Sequence, residues 1–215
     1  LSDPEGHTWI DLTSDTCRRL HGGLLAPVAD AIAEAARVGV PRSAAAAVCI
    51  PLAERIRALF GAERVALQPT ADGALASAVD RARRGTQRDT VLVMVDDPAE
   101  AVTGALASAL RWCPTESAID EAVATGTQLA AVVTRPTLDL DSIRAWCAAN
   151  GCWLILDETE TALRLNDDPN GPSGIDLRVL GPTIASGMEL GVVLGHSDRW
   201  DAVELELTAE PLAVA

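Results

Sequence analysis

The chain has 215 residues, 48% of them hydrophobic and 22% charged, enough to bury one medium core and too apolar for a disordered tail. With 17 basic against 31 acidic residues the net charge is -14, and a surface that acidic repels phosphate backbones and anionic lipid, which sets nucleic acid and membrane aside as partners. Every basic residue is Arg, so the sequence offers no lysine amine for chemistry, and it has no Tyr either.

In chain order, Pro51 opens a helix at its first turn, with Leu52, Ile56, Leu59 and Phe60 on one face. Short β-branched runs then read as buried strands at Val65–Gln68, Val91–Val95 and Ala130–Thr134, with Ala-rich helical stretches between them. Ala44–Ala47 and Val102–Ala109 read as close-packing helix faces. Asp141 caps a further helix that carries Ile143, Trp146 and Cys147 inward and stops at Asn150-Gly151. Strand Trp153–Leu156 follows directly. Leu163–Ile175 is the most loop-like stretch, and Leu190–Leu194 is the last strand run. From Trp200 to Ala215 the sequence is acidic and apolar, either one last helix or a frayed end. Strand, helix, strand with short links predicts a mostly parallel sheet covered by helices on both faces.

Five Cys (Cys17, Cys49, Cys113, Cys147, Cys152) sit among apolar neighbours without zinc spacing, so they read as structural thiols of a reducing cytosol. No basic-then-apolar leader opens the sequence, and no apolar run reaches membrane-spanning length. His7, His21 and His196 lie far apart and make no triad with a Ser or Cys. His21-Gly22-Gly23 reads as the turn into a helix. Gly181–Gly191 lacks dinucleotide-binding spacing. Trp9, Trp112, Trp146, Trp153 and Trp200 read as core or interface. The pair Asp157-Glu158, with Glu160, ends an apolar strand, where such sheets often face a ligand crevice.

Several segments, taken together, carry a resemblance. Asp3-Pro4-Glu5-Gly6-His7-Thr8-Trp9-Ile10-Asp11 fits an opening strand pattern, Gly22–Gly39 a first long helix, and Pro51–Arg64 the helix before the first sheet strand. Val65–Arg84 fits a phosphate-loop strand and its helix, and Trp153–Thr161 an apolar strand ending in D-E-x-x-T. Asp176–Gly195 fits a strand, lysine loop and return strand. In this order they resemble the class III aminotransferases, especially the glutamate-1-semialdehyde aminomutase branch. These are pyridoxal phosphate (PLP) enzymes of fold type I. The resemblance implies a three-layer α/β large domain over residues 1–200, with a mainly parallel sheet of about seven strands, and a tail or short helix at 201–215. It also implies that the family's C-terminal small domain is missing.

The departures bear on chemistry. The family's Schiff-base lysine follows the strand corresponding to Leu177–Leu180, and Pro182 stands there instead, so no internal aldimine is expected and no cofactor is assigned. At the phosphate loop the matching residues are Thr70-Ala71-Asp72; the Asp72 carboxylate either occupies or repels the phosphate site, or caps the helix. The loop that carries the ring-stacking aromatic is missing between Val95 and Leu110. Asp157 corresponds to the aspartate that pairs with the PLP pyridinium nitrogen. Arg135 replaces a family glutamate; it either pairs with Asp157 or points into solvent.

The vestigial or repurposed crevice therefore comprises Asp157, Glu158, Arg135, Thr70, Asp72 and Pro182. The leading expectation is a pseudoenzyme that acts as a homodimeric or heterodimeric partner through the fold type I face, with an active homologue as one candidate. The alternative is a cofactor-independent enzyme using the emptied crevice in bacterial specialised metabolism; a plain homodimeric scaffold is a third. The Ala- and Arg-rich composition suits a high-GC bacterial genome.

Overall fold

Apolar runs that alternate with amphipathic helices have one economical arrangement, a sheet whose two faces are each closed by helices. The computed structural model describes residues 2–10, 12, 18, 20–21, 25–38, 48–95, 104–112, 119, 126–136, 139–164 and 170–200. The helices are α1 (Ala26–Val38), α2 (Cys49–Phe60), α3 (Ala71–Thr86), α4 (Leu140–Asn150) and the single turn α5 (Ser197–Trp200). The strands are β1 (Arg64–Gln68), β2 (Thr90–Met94), β3 (Leu110–Trp112), β4 (Leu129–Thr134), β5 (Trp153–Glu158), β6 (Leu177–Leu180) and β7 (Gly191–Gly195). They form one seven-stranded sheet in the order β1-β7-β6-β5-β4-β2-β3. Only β7 runs against its neighbours; the other pairings are parallel.

The period-two alternation of each strand sorts its side chains to two faces. On one face Val91, Val93, Ala131, Val133, Ile155, Val179 and Val193 meet Ala74, Ala78, Val79 and Ala82 of α3. Small residues on α3 let that helix lie close to the sheet. On the other face Leu92, Val132, Leu154 and Leu156 pack under Ile143 and Cys147 of α4. Beside them Val65, Leu67, Val192 and Leu194 pack under Ala53, Ile56 and Phe60 of α2. The result is a three-layer α/β/α domain with the expected number of strands. Among the described residues, no helix is long and apolar enough to cross a membrane.

Several local expectations change. In α2 the buried face is Cys49, Ala53, Ile56 and Phe60, and Leu59 is 49% exposed; Pro51 lies within the first turn as expected. The cap of α4 is Asp139, not Asp141: its carboxylate accepts from the Asp141 amide at 3.2 Å and from the Ser142 hydroxyl at 2.9 Å. Those hydrogen bonds, Ser142 first, hold the Asp139 carboxyl below the usual carboxylate range. The helix ends as predicted at Gly151, in the left-handed region at φ 62. Val102–Ala109 contains a short 3-10 turn at Gly104–Leu106, not a helix face, within its described part. The opening segment forms one antiparallel bridge, Ser2 to Thr8, in place of a full strand. Trp9 is exposed and donates Nε1–H to Asp3. Cys49, Cys147 and Cys152 are buried free thiols. The expectations for Cys17, Cys113, His21-Gly22-Gly23 beyond His21, Ala44–Ala47 and residues 201–215 lie outside the described residues.

Candidate functional site

Parallel strands deliver their C-terminal ends to one edge of the sheet, and such edges gather the residues that follow each strand. Here the edge receives Thr70 and Asp72 after β1, Arg135 after β4, Asp157 and Glu158 at the end of β5, and Pro182 after β6. Asp157 pairs in register with Val179, and Thr134 with Leu156, so Arg135 continues β4 alongside Asp157. Sheet order separates β1 from β5 by two intervening strands, roughly 14 Å at ordinary strand spacing.

Asp157 is half-buried, and its Oδ1 accepts the Thr159 amide at 3.0 Å and the Thr159 hydroxyl at 2.7 Å. This tight turn fixes the carboxylate locally. Arg135 stands beside Asp157 in register, at the place where the sequence leads one to expect a charge pair. Thr159 organises this end of the site. Its carbonyl accepts the buried Thr183 hydroxyl at 3.2 Å, and a Cβ on Gly181 would lie 2.6 Å from the same carbonyl oxygen. The strand-to-turn passage thus needs the bare Cα of Gly181 to press the 3-10 turn Pro182–Ala185 onto Thr159. Pro182 is buried at the start of that turn, and its carbonyl accepts the Gly187 amide at 2.9 Å. Sequence reasoning missed Thr159, though Asp followed two residues later by Thr is the signal for such a turn.

Glu158 is not a crevice residue. Alternation along β5 turns it to the opposite face from Asp157, where it is 2% exposed. Arg178 of β6 donates Nε–H to Oε2 at 2.5 Å and Nη2–H to Oε1 at 3.1 Å, a bidentate buried ion pair. Arg178 also donates to the Asn170 carbonyl at 2.8 Å and lies over the Phe60 ring at 5.4 Å. Every direction of that guanidinium is used for structure.

At the other end of the edge, Thr70 is the N-cap of α3, accepting the Gly73 amide at 3.0 Å. Asp72 stands exposed in the first turn, where the helix dipole favours its charge. Gly104 approaches it: a Cβ there would lie 3.5 Å from Asp72 Oδ2. The α3 N-terminus therefore already has a capping hydroxyl and a carboxylate of its own. Replacing Thr70 with Ala should remove the cap and cost about 1 kcal/mol of stability, read as a lower urea midpoint with an unchanged slope. Among the described residues no three His, Cys, Asp or Glu side chains form a metal cluster.

No protein-family model matches the chain. It is 26% identical over 265 residues to a glutamate-1-semialdehyde 2,1-aminomutase of Myxococcus xanthus (strain DK1622), covering 100% of this chain and 61% of that relative. Among solved structures it is similar to the PLP internal aldimine form of the FumI protein of Sphingopyxis sp. MTA144, with TM-score 0.80, 20% identity and coverage of 99% of this chain and 59% of that one. It is also similar to a β-phenylalanine aminotransferase from Variovorax paradoxus, with TM-score 0.79, 22% identity and coverage of 100% and 55%. The chain thus spans less than two thirds of the length of each of these relatives. The architecture is that of the large domain of the PLP-dependent, class III-like aminotransferases.

Proposed function

We propose that this chain, which has the aminotransferase fold and no lysine, is a pseudoenzyme subunit that forms no PLP Schiff base and serves as a dimerisation or regulatory partner of another subunit. The observation that carries this reading is the turn after β6. It holds Pro182 buried against the Thr159 end of the site, and a proline ring has no amine with which to form an imine. The residues present do not fit PLP in a second respect. The α3 N-terminus, where a phosphate would find amide donors, carries the Asp72 carboxylate and a cap satisfied by Thr70. No catalytic step through PLP is derived for this chain.

The partner role is supported by exposed apolar side chains on the N-terminal segment and the start of α2. Ile10 is 87% exposed, Leu12 91% and Val48 66%, and Trp9 and Ile50 are also exposed. Large apolar side chains left in water are what a partner chain covers where they gather into a patch. The occupant is a second copy or a lysine-bearing homologue, in the reducing cytosol of a bacterial cell.

Two measurements test the reading. Incubation with PLP followed by borohydride is expected to leave every side chain unmodified and to give no visible imine band; a borohydride-stable pyridoxyl adduct on any side chain overturns it. Native mass spectrometry of the tagged chain recovered from its own cells is expected to give a dimeric mass. A heteromer with a lysine-bearing homologue fixes the regulatory form.

Asp157 supports a second reading. It remains part-exposed at the sheet edge, beside Arg135 in register and fixed by Thr159, and so keeps a positioned carboxylate for a cofactor-independent reaction. A homo-oligomer that retains a bound small molecule, with retention lost in Asp157→Asn, would favour that reading over the partner role.

A further inference from the structure

Helix α4 closes on its own last turn. The Cys152 amide donates to the Cys147 carbonyl at 3.1 Å, and the amide of Gly151, in the left-handed region, donates to the same oxygen. Ending a helix this way brings the side chain beyond the glycine against one in the last turn. Here both are thiols, Cys147 within α4 and Cys152 just before β5. Their side chains share a hydrogen bond donated by Cys147, and the Cys152 thiol also faces the Cys147 carbonyl at 3.9 Å. The two differ in acidity. The hydrogen bond from Cys147 holds the Cys152 thiol below the ordinary thiol range although burial opposes it, and the Arg88 charge adds to the lowering. The same hydrogen bond, with burial, pushes the Cys147 thiol up. Arg88 is fixed nearby through Nη1, which donates to the carbonyls of Leu129, Asn150 and Gly151 at 2.9, 3.0 and 3.1 Å. Both cysteines are mostly buried, yet both line a cleft of about 570 Å³ whose wall also carries Arg144, Asp176, His196 and Arg199. The cleft lies where β5 begins, at the opposite end of that strand from Asp157.

We propose that Cys147 and Cys152 form a reversible dithiol–disulfide site, oxidised by a low-molecular-weight disulfide that enters this cleft. The Cys152 thiolate attacks one sulfur of that disulfide; the external S–S bond breaks, and one half leaves as a thiolate that takes up a proton. A mixed disulfide remains on Cys152. Cys147 then attacks Cys152 Sγ, gives its proton to the leaving thiolate and expels the second half. Two protein thiols lose two electrons in all, and the external disulfide is reduced to two thiols. The new bond fastens the last turn of α4 to the start of β5. Disulfides that form inside reducing cells are characteristically transient ones of this kind. The inference is independent of the pseudoenzyme reading.

The test treats the folded full chain with glutathione disulfide, blocks the remaining thiols with iodoacetamide and maps the cysteines by mass spectrometry. A bond linking Cys147 to Cys152 is expected, reversed by dithiothreitol, while Cys49, buried on α2, is recovered as a free thiol. Cys147→Ser should stop at a glutathione adduct on Cys152, and Cys152→Ser should slow adduct formation at Cys147 by about ten-fold or more. Equal trapping in the two variants overturns the assigned order of attack. The site itself is overturned if neither thiol reacts until urea unfolds the chain, or if Cys49 reacts as fast as Cys152. It is equally overturned if Cys152 of the unsubstituted chain keeps its glutathione without closing the bond, or if either cysteine pairs elsewhere. Should the serine variants fail to fold, the unsubstituted chain decides alone across a series of glutathione redox buffers. A two-electron transition to the Cys147–Cys152 bond upholds the proposal, and continued reduction at every ratio overturns it.

Discussion

Replacing Glu158 with Ala is expected to lower the unfolding free energy by about 3–5 kcal/mol, a large share of what holds a domain of this size together. The size follows from what the substitution leaves behind. Arg178 would keep its charge in a site where its side chain is 9% exposed, with its carboxylate partner gone. Adding Arg178→Met to the same chain should recover part of the loss, because it removes the buried charge left without its carboxylate. Urea unfolding of the single and double variants checks both statements. A loss below about 1 kcal/mol for Glu158→Ala would mean that water screens the pair as it screens a surface bridge.

Gly191→Ala is the second substitution expected to be severe, and its cause is steric. An added Cβ would lie 2.0 Å from the Thr70 carbonyl oxygen, 2.7 Å from its carbon and 2.8 Å from Ala74 Cβ. Two of those atoms are backbone and cannot rotate away. Either the start of β7 or the first turn of α3 must move, and overpacking of this sort costs about 1–3 kcal/mol, sometimes more. Because Thr70 also caps α3, the damage should spread along the helix N-terminus. Faster amide exchange at Gly73 and Ala74, together with a lower unfolding midpoint, is the expected result. Unchanged exchange at those amides would show that β7 alone had given way.

The strands legible in the sequence were those whose apolar runs are unbroken, as in the readings Val91–Val95 and Ala130–Thr134, observed at Thr90–Met94 and Leu129–Thr134. Leu177–Leu180 interrupts its run with Arg178, and only the resemblance located it. Leu110–Trp112 is too short for any period to register. Neighbouring residues were the main source of error at the site. Asp157 and Glu158 read as one acidic pair, yet a strand sends consecutive side chains to opposite faces, and only Asp157 reaches the edge. The partner of Glu158 lies on the next strand, at a distance in sequence that no local pattern marks. Likewise, two Asp residues two apart compete for the cap of α4, and either satisfies the preference for a short acceptor before an apolar helix. Pro182 entered only through the resemblance, which aligns it with the family's lysine.

The position of β7 has a consequence for how the molecule comes into being. Residues 64–68 are made early, yet among the described residues their only strand partner is residues 191–195, near the end of the described chain. Until β7 leaves the ribosome, β1 has no neighbour, and β6 presents an open edge of unpaired amides and carbonyls. The central parallel strands can assemble during synthesis, whereas the outer quarter of the sheet must wait for a late antiparallel insertion between two waiting strands. Long-range closure of this kind is slow and leaves sticky edges exposed in the meantime. A nascent chain halted before Gly191 would therefore carry two templates for the wrong strand, and birth, more than maturity, is the stage at which this protein is vulnerable to aggregation.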